Sequence, residues 1–193
     1  DACLVGSEMC IRDRFYSNRS IEIFNSTPEN STYGLNPEKA TNYGLSLDKG
    51  FNLFGGQGNF IIDYFKTDFD DKVIIDFEYP GIVQIYNSLD KKSYYQSFQA
   101  EIIYSINRFN LTTAYKNYDV QISYNDGIKS KPLQPSEIFF LNIGYEFQNN
   151  DGKLWKYDFT LNRVGKQRLM RNPRDTASHT NPQTLINAQI TKV

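Results

Sequence analysis

The chain has 193 residues, a formal net charge of −1, and fourteen residues each of tyrosine and phenylalanine against one tryptophan and two methionines. This length allows one domain with a substantial core, the near-neutral charge indicates no nucleic-acid partner, and the aromatic content favours β-structure over helix. No apolar run approaches the roughly 20 residues of a membrane-spanning helix, but strands of a membrane barrel need only about 9–11 residues and carry half that hydrophobicity.

The first fourteen residues, DACLVGSEMCIRDR, match nothing that follows and contain both cysteines, Cys3 and Cys10. The two thiols could form a disulfide in an oxidising compartment such as the periplasm. The segment also resembles translated sequencing-adapter read-through, and we favour that interpretation. It has neither the basic start nor the apolar run of a signal peptide. We therefore expect residues 1–14 to be a non-native artefact and residues 15–193 to form one domain.

Apolar and polar residues alternate in a series of segments, which is typical of strands with one apolar and one wet face. The first segment is a weak candidate, and the third is less regular and unusually long, which indicates a strand continuing past a lipid layer. The predicted strands, in chain order, are residues 14–24, 41–48, 57–79, 93–106, 109–116, 138–147, 153–163 and 184–193. Eight is an even number, as in bacterial single-chain barrels.

The clearest alternation lies in residues 93–106. Phe98 and Ile102 share an apolar face with tyrosines towards both ends, whereas Gln99 and Glu101 lie on the other face. A face with a carboxylate cannot line an ordinary apolar core, and an aromatic face is costly to leave in water. A wall with lipid on one side and water on the other satisfies both faces. The other predicted apolar faces are Tyr43, Leu45, Leu47; Phe60, Ile62, Tyr64; Phe109, Leu111, Thr113, Tyr115; Phe139, Leu141, Ile143, Tyr145, Phe147; Trp155, Tyr157, Phe159, Leu161; and Ile186, Ala188, Ile190.

The links between these segments alternate in length. Tight turns are predicted at 55–58, 107–108 and 149–152, where glycine and asparagine are frequent. Longer polar stretches are predicted to be loops at 25–40, 80–92, 125–136 and 165–183. Short periplasmic turns alternating with long extracellular loops are typical of an outer-membrane barrel.

Residues that could carry catalysis or bind a metal are scarce. His179 is the only histidine, so neither a zinc site nor a Ser-His-Asp nucleophile has its ligands or base. Asp68, Asp70 and Asp71 could hold Ca²⁺, but the glycine and distal glutamate of an EF-hand are missing, and a solvated charged edge is favoured. We predict no catalytic, metal or cofactor residues, and no enzyme.

The last long loop is strongly basic. It could contact lipopolysaccharide phosphates or an anionic ligand through charge-assisted hydrogen bonds, although we favour a solvated loop kept soluble by its charge. Its basic residues are Arg163, Lys166, Arg168, Arg171 and Arg174, with Asp175 opposing them.

Four stretches resemble TonB-dependent receptors, most closely the Bacteroidetes-type members. They are LNPEKATNYGLSL at 35–47, FIIDYFKTDFDDKVIIDFE at 60–78, SYYQSFQAEIIY at 93–104 and TLINAQITKV at 184–193. The resemblance covers residues 14–193 and implies an integral β-barrel of the Gram-negative outer membrane. Family members are 22-stranded barrels that hold an N-terminal plug domain and import scarce ligands, such as siderophores, cobalamin, glycans or peptides, driven through TonB.

This chain resembles only the last third of such a barrel. Family members usually end in an aromatic one residue beyond Val193, so we expect a fragment cut at both ends, with the plug and the TonB-contacting box upstream of it. The resemblance implies outer-membrane lipid and lipopolysaccharide, the plug and the TonB system as partners, with a surface lipoprotein as a further candidate. We expect bare strand edges at 14–24 and 184–193, which would aggregate alone.

Two other classes of protein stay open at this point. One is a complete eight-stranded outer-membrane barrel with a structural or adhesive role, although the interior of so small a barrel must be filled by side chains and the predicted inward set is mostly polar. The other is a soluble β-sandwich that binds glycan through its aromatic residues. A barrel hydrolase ranks last, for lack of catalytic residues.

Overall fold

The computed structural model describes residues 20–23, 35–79, 82–88, 93–149, 152–170 and 177–192. The predictions for residues 1–19, which include both cysteines, and for 24–34 and 171–176 lie outside this part of the chain. Within it, no helix is long and apolar enough to cross a membrane. The strands are β1 (Ser20–Ile23), β2 (Lys39–Leu53), β3 (Gly56–Asp71), β4 (Val73–Asp76), β5 (Ile82–Asn87), β6 (Tyr94–Ile106), β7 (Phe109–Tyr124), β8 (Gly127–Ser130), β9 (Glu137–Gln148), β10 (Leu154–Val164) and β11 (Gln183–Lys192).

Eight strands form the main sheet. Its order is β11-β10-β9-β7-β6-β3-β2, with β8 paired to the end of β7, and every pairing is antiparallel. Two-residue turns join β2 to β3 at Phe54 and Gly55, and β6 to β7 at Asn107 and Arg108. The positive φ angles of such tight hairpins fall on Phe54 (51°), Gly55 (80°) and Asn107 (52°). The predicted all-β, antiparallel, eight-stranded architecture is confirmed, although the first turn lies one residue earlier than predicted.

Three short strands form a second sheet, ordered β1-β5-β4, which we call the cap sheet. β1 runs parallel to β5, and β4 runs antiparallel to it. The prediction that residues 14–24 form an edge of the barrel is wrong for the described part, because Ser20–Ile23 pair with β5 and leave β2 as the edge. The prediction of a continuous loop at 80–92 is also wrong, because burial of Val83 and Ile85 holds β5 in place.

The buried apolar residues gather where the cap sheet packs on the end of β7. Ile74 and Tyr86 of the cap sheet form one cluster with Ile122 and Tyr124 of β7. A second cluster joins Leu35, which precedes β2, to Val83 and Ile85 of the cap sheet. Val120 is the buried apolar residue of the main sheet that lies farthest from the cap. Beyond it, towards the two-residue turns, no described apolar side chain is buried. The long strands therefore leave both of their faces available to other surroundings.

β2 (Lys39–Leu53) is longer than the predicted 41–48 and begins within the predicted loop 25–40. Two other strands differ in extent from the sequence predictions for one shared physical reason. The long segment 57–79 is two strands in two sheets, because β3 ends at Asp71 and the chain crosses at Lys72 into the cap. The Lys72 carbonyl accepts a hydrogen bond from the Ser88 N–H at 2.8 Å, which ties this crossing to the end of β5. β7 continues to Tyr124 and turns back through β8, so the predicted loop 125–136 contains a strand. Packing of β4 against the end of β7 stabilises both the separate strand β4 and the extension of β7.

The end of the main sheet that carries the two-residue turns is called its lower end, and the end beside the cap its upper end. A glycine and two aromatic rings shape the lower end. The rings of Phe51 on β2 and Tyr104 on β6 are stacked, with centroids 6.1 Å apart and planes within 4°. They lie on either side of Gly58 on β3, where an added Cβ would come 2.3 Å from Phe51 Cζ. The missing side chain therefore lets an aromatic ring lie across the central strand, which protects a glycine that would otherwise weaken the sheet.

Candidate functional site

The strand register places all the predicted apolar residues on one side of the main sheet, which we call the apolar face. Directly paired residues of an antiparallel sheet share a face, so one row can be followed across seven strands. The row through Ile102 runs Lys49, Phe60, Ile102, Thr113, Leu141, Leu161, Ile186. The row below it runs Phe51, Gly58, Tyr104, Leu111, Ile143, Phe159, Ala188. Seven segments that were assigned independently thus form one continuous belt.

The belt has the height that a membrane strand requires. On β6 it spans residues 98–106 and on β9 residues 139–147, nine residues each, against about 9–11 for a barrel strand crossing a bilayer. Its side chains are most exposed on the edge strands, where Leu45 is 73% exposed, Ile186 58% and Ile190 67%, and are partly exposed on the inner strands, where Phe98 is 37% and Tyr157 41% exposed. Large contiguous apolar patches of this kind mark contact with a partner or a membrane.

The upper limit of the belt descends in steps across the sheet. Phe98, the last apolar residue of the belt on β6, pairs with Asn117 of β7, where the belt has already ended. Phe139, the last on β9, likewise pairs with Arg163 of β10. A level boundary crossing tilted strands produces such steps, because each strand reaches the boundary at a different residue. Strands of membrane barrels are tilted by about 35–45°.

Charged and aromatic side chains follow the upper limit of the belt. Lys66 forms an ion pair with Asp68 at 2.9 Å, and its ammonium lies 5.5 Å from the centroid of the Tyr94 ring. The Tyr94 hydroxyl donates to Asp119 at 2.7 Å. At the lower limit, Lys192 Nζ lies 5.2 Å from the Trp155 ring centroid. Aromatic girdles at both interfaces are a property of outer-membrane barrels.

The opposite side of the main sheet, the polar face, carries hydrogen bonds between neighbouring strands. The Asn142 amide donates to Thr160 Oγ1 at 2.9 Å, and the Ser105 hydroxyl donates to Asn110 at 2.8 Å. Lys156 and Glu146 form an ion pair at 2.7 Å. Such groups are compatible with water or with another polar protein surface, and they cannot line a dry core.

A groove of 290 Å³ lies on the polar face near its upper end. Its walls include Phe65 and Tyr118, its floor includes Ser97, and Tyr95 and Lys131 lie above them. A smaller cavity of 90 Å³ continues downward from the same three wall and floor residues towards the side chains of Gln99 and Lys116. Sequence reasoning did not identify this site. Its signal in the sequence is weak, because the aromatic residues at 65 and 118 are only two of several apolar residues, such as Ile103 and Phe140, on the mostly polar face.

The cap is held to the loops by a buried ion pair. Arg168 Nη1 donates to Glu78 Oε1 at 2.6 Å, with side chains only 14% and 7% exposed. Arg168 also donates through Nε to the Ser130 carbonyl. The preference for a freely solvated basic loop is therefore wrong for this residue, which has a structural role. Arg171 and Arg174 lie outside the described residues.

Burial in the cap also changes the proton affinity of nearby groups. Burial raises the pKa of the Asp76 carboxyl, which accepts the Glu78 N–H at 2.8 Å and the Tyr86 hydroxyl at 3.3 Å. Burial raises the pKa of Tyr124 to about 12, although the nearby Arg168 opposes this change. Both effects are those expected of groups taken out of water. They reflect the packing of the cap sheet against the end of β7.

The remaining sequence candidates do not come together in a chemical site. His179 lies in a loop, with Nδ1 3.0 Å from the Ser178 hydroxyl. Asp68 is engaged by Lys66 and by the Tyr43 hydroxyl. Among the described residues, no group of three or more histidine, cysteine, aspartate or glutamate side chains could hold a metal ion.

Comparison with known proteins identifies the family. The family model described as "TonB dependent receptor-like, beta-barrel" matches residues 11–192. No curated protein and no solved structure matches the chain. The match extends over nearly the whole sequence and agrees with the antiparallel sheet and with the resemblance found in the sequence. The chain therefore belongs to the TonB-dependent receptor β-barrel family.

Proposed function

We propose that this chain is the C-terminal part of a 22-stranded outer-membrane barrel that imports a scarce ligand. The observation that supports this most is the belt, because the register brings the predicted apolar residues of seven strands onto one face and leaves charged and amide side chains such as Gln99, Glu101 and Asn142 on the other. Lipid outside and a wet lumen inside match the two faces. The role is transport, without a catalytic step by the chain.

The sheet favours a segment of a large barrel over a complete small one. β2 and β11 end the main sheet on opposite sides, so further strands can pair with both. The interior of an eight-stranded barrel is just wide enough to be filled by side chains, whereas the polar face here suits a wide lumen. We infer that a plug domain encoded upstream occupies this lumen and couples it to TonB. Siderophores, cobalamin, glycans and peptides are the candidate ligands, with a surface lipoprotein as a possible partner for the last two.

The lengths of the connections between strands also support an orientation of the barrel in the membrane. The two-residue turns lie at one end of the main sheet, and the cap, β8 and the loop after β10 lie at the other. In outer-membrane barrels the short turns are periplasmic and the long connections extracellular. The cap and the groove would then lie on the outer side of the membrane, where a ligand arrives and where lipopolysaccharide surrounds the barrel.

Cysteine labelling in whole cells tests this placement. In a complete receptor freed of native cysteines, Asp126→Cys in the β7–β8 turn should react with a large membrane-impermeant maleimide. Lys153→Cys, at the other end of the sheet, should react only after the outer membrane is permeabilised. Labelling of both positions in intact cells, or recovery of the receptor in the soluble fraction, would refute the placement.

Uptake measurements test the transport role. Cells with the gene intact or deleted are compared for accumulation of a labelled ferric siderophore, cobalamin, an oligosaccharide and a peptide. Deletion should abolish uptake of one class, and a protonophore should abolish the same uptake in cells with the intact gene, because TonB transmits energy from the inner membrane. Uptake that persists with the protonophore would contradict the energised mechanism.

A further inference from the structure

One lysine interrupts the belt on the apolar face. On β2 the belt runs from Tyr43 to Leu53, and Lys49 lies inside it, in the same row as Ile102, the middle belt residue of β6. Between the upper and lower limits of the belt, Lys49 is the one charged residue among the described residues of the seven strands. Lysine on the lipid face near the midplane strongly destabilises a membrane barrel. A lysine at this depth therefore requires a route to water or a compensating partner.

The ammonium group of Lys49 cannot reach water by extending along the strand. Lys49 lies four residues from Leu53 and six from Tyr43, the two ends of the belt on β2. These separations are about 13 Å and 20 Å along the strand, or about 10 Å and 15 Å in depth for strands tilted by about 40°. The four-carbon stem of a lysine is shorter than either depth, so Lys49 requires a partner within the membrane.

The described neighbours of Lys49 on the apolar face are all uncharged. They are Leu47, Phe51, Gly58, Phe60 and Ile62. Within the part of the chain that the structure describes, Lys49 forms no ion pair. Charged side chains inside a membrane almost always pair with one another or with backbone carbonyls. The partner of Lys49 therefore lies outside the described strands.

The open edge of β2 brings a neighbouring strand close to Lys49. Leu53 and Gly56 flank the two-residue turn between β2 and β3 and form a hydrogen-bonded pair, as such hairpins do. Hydrogen-bonded and non-hydrogen-bonded pairs alternate along antiparallel strands, so Lys49, four residues from Leu53, is in a hydrogen-bonded pair with Phe60. Towards the open edge it is then at a non-hydrogen-bonded position. The opposite Cα atom at such a position is about 4.5 Å away, and the two side chains are closest there.

We propose that the strand that pairs with the open edge of β2 in the complete barrel carries a carboxylate directly opposite Lys49, and that the two side chains form an ion pair within the bilayer. The inference rests on the proposed function, because a larger barrel supplies a further strand at this edge. Directly paired residues share a face, so the carboxylate lies on the apolar face with Lys49. The pair fixes the register of the two strands, since a slip of one residue moves the carboxylate to the opposite face.

Denaturant titrations of the complete receptor in lipid vesicles test the ion pair through the sign of one effect. Lys49→Leu should lower the folding equilibrium constant at least tenfold, because removing one partner of a buried ion pair leaves the other unpaired. Adding leucine at the opposing acidic residue should restore the lost stability, because an apolar pair then replaces the ion pair. As the matched control, Lys66→Leu breaks an exposed ion pair with Asp68 at the upper limit of the belt and should change the constant about fivefold or less.

Disulfide cross-linking in the complete receptor locates the partner without a stability measurement. The aspartate or glutamate on the apolar face of the adjoining strand is replaced by cysteine and combined with Lys49→Cys. The two thiols should form a disulfide, because Cα atoms about 4.5 Å apart allow this bond. Leu47→Cys and Phe51→Cys are diagonal to the same cysteine, at roughly 7–8 Å, and should not form it.

A gain of stability in Lys49→Leu would overturn the proposal, because it would show that the lysine stands alone in lipid or waits for another protein. Absence of an acidic residue from the apolar face of the adjoining strand, or cross-linking from position 47 or 51 in place of 49, would overturn it as well. If one of these results is found while protonophore-sensitive uptake persists, only the ion pair fails and the transport role stands. Failure of the complete receptor to insert into vesicles would instead remove the proposed function and this inference together.

Discussion

Arginine substitutions at two adjacent isoleucines should have very different effects on the complete receptor. Ile102 is the third of five alternating belt residues between Phe98 and Ile106 on β6, and its row neighbours are Phe60 and Thr113. It therefore lies near the bilayer midplane, where arginine on the lipid face costs about 2–4 kcal/mol. This cost corresponds to roughly 30-fold to several hundred-fold in the folding equilibrium, because each 1.4 kcal/mol is a factor of ten.

Ile103 is a matched control because it is the same residue type, one position away, on the opposite face. It is 41% exposed, and its row neighbours are Asn59 and Thr112, so arginine there should cost less than about 1 kcal/mol. Gln99→Arg, also on the polar face, should be similarly mild. Denaturant titrations of the receptor folded into lipid vesicles, read out by heat-modifiable migration on gels, measure all three variants. Equal losses from Ile102→Arg and Ile103→Arg would refute the assignment of the faces.

Three further predictions concern packing and the cap. Gly58→Ala should cost about 1 kcal/mol, because its Cβ would meet a phenylalanine ring at 2.3 Å; the matched change Gly50→Ala, with its nearest atom at 3.9 Å, should be nearly neutral in the same titration. Arg168→Met should destabilise the cap by about 3–5 kcal/mol, because it removes the guanidinium that is ion-paired with the buried Glu78 carboxylate; adding Glu78→Gln should restore part of the loss, measured by the rate of proteolysis in the cap. Burial raises the folded-state pKa of Asp76, so the Asp76 carboxyl holds a proton more tightly in the folded cap than in the unfolded chain. The contribution of Asp76 to stability should therefore be largest at low pH and should fall as the pH rises through the raised folded-state pKa.

Each of these predictions has an outcome that contradicts it. Equal effects of the two glycine changes would show that the ring moves aside without cost. Unchanged proteolysis of Arg168→Met would show that the ion pair does not hold the cap. Asp76→Asn should flatten the pH dependence of the thermal midpoint of the cap, and an undiminished slope in that variant would assign the dependence to another group.

The main sheet was predictable because its signal is local. Successive side chains of a strand alternate between faces, so the composition of segments such as 93–106 determines which face is apolar before any pairing is known. Short turns between these segments then determine the pairing of neighbours. The register confirms every predicted apolar face, because an error of one residue in any strand would have moved its whole apolar set to the wrong side.

The cap and the groove on the polar face were not predictable because their signals are spread along the chain. β5 has only six residues and lies inside a polar stretch, so its alternation does not stand out. The partners Arg168 and Glu78 are 90 residues apart in sequence, and the charge of the loop alone indicates a solvated segment. The groove requires three strands to be aligned before Ser97 is recognised as a small residue between Phe65 and Tyr118.

Spin labels along β6 test the central claim most directly. In the complete receptor reconstituted in bilayers, single labels introduced from position 98 to 106 are compared for collision with oxygen, which concentrates in lipid, and with a water-soluble nickel chelate. The account predicts a period of two residues, with even positions such as Ile102 favouring oxygen and odd positions such as Ile103 favouring the chelate or shielded by the plug. Uniform accessibility along the strand, or the reverse alternation, would contradict it.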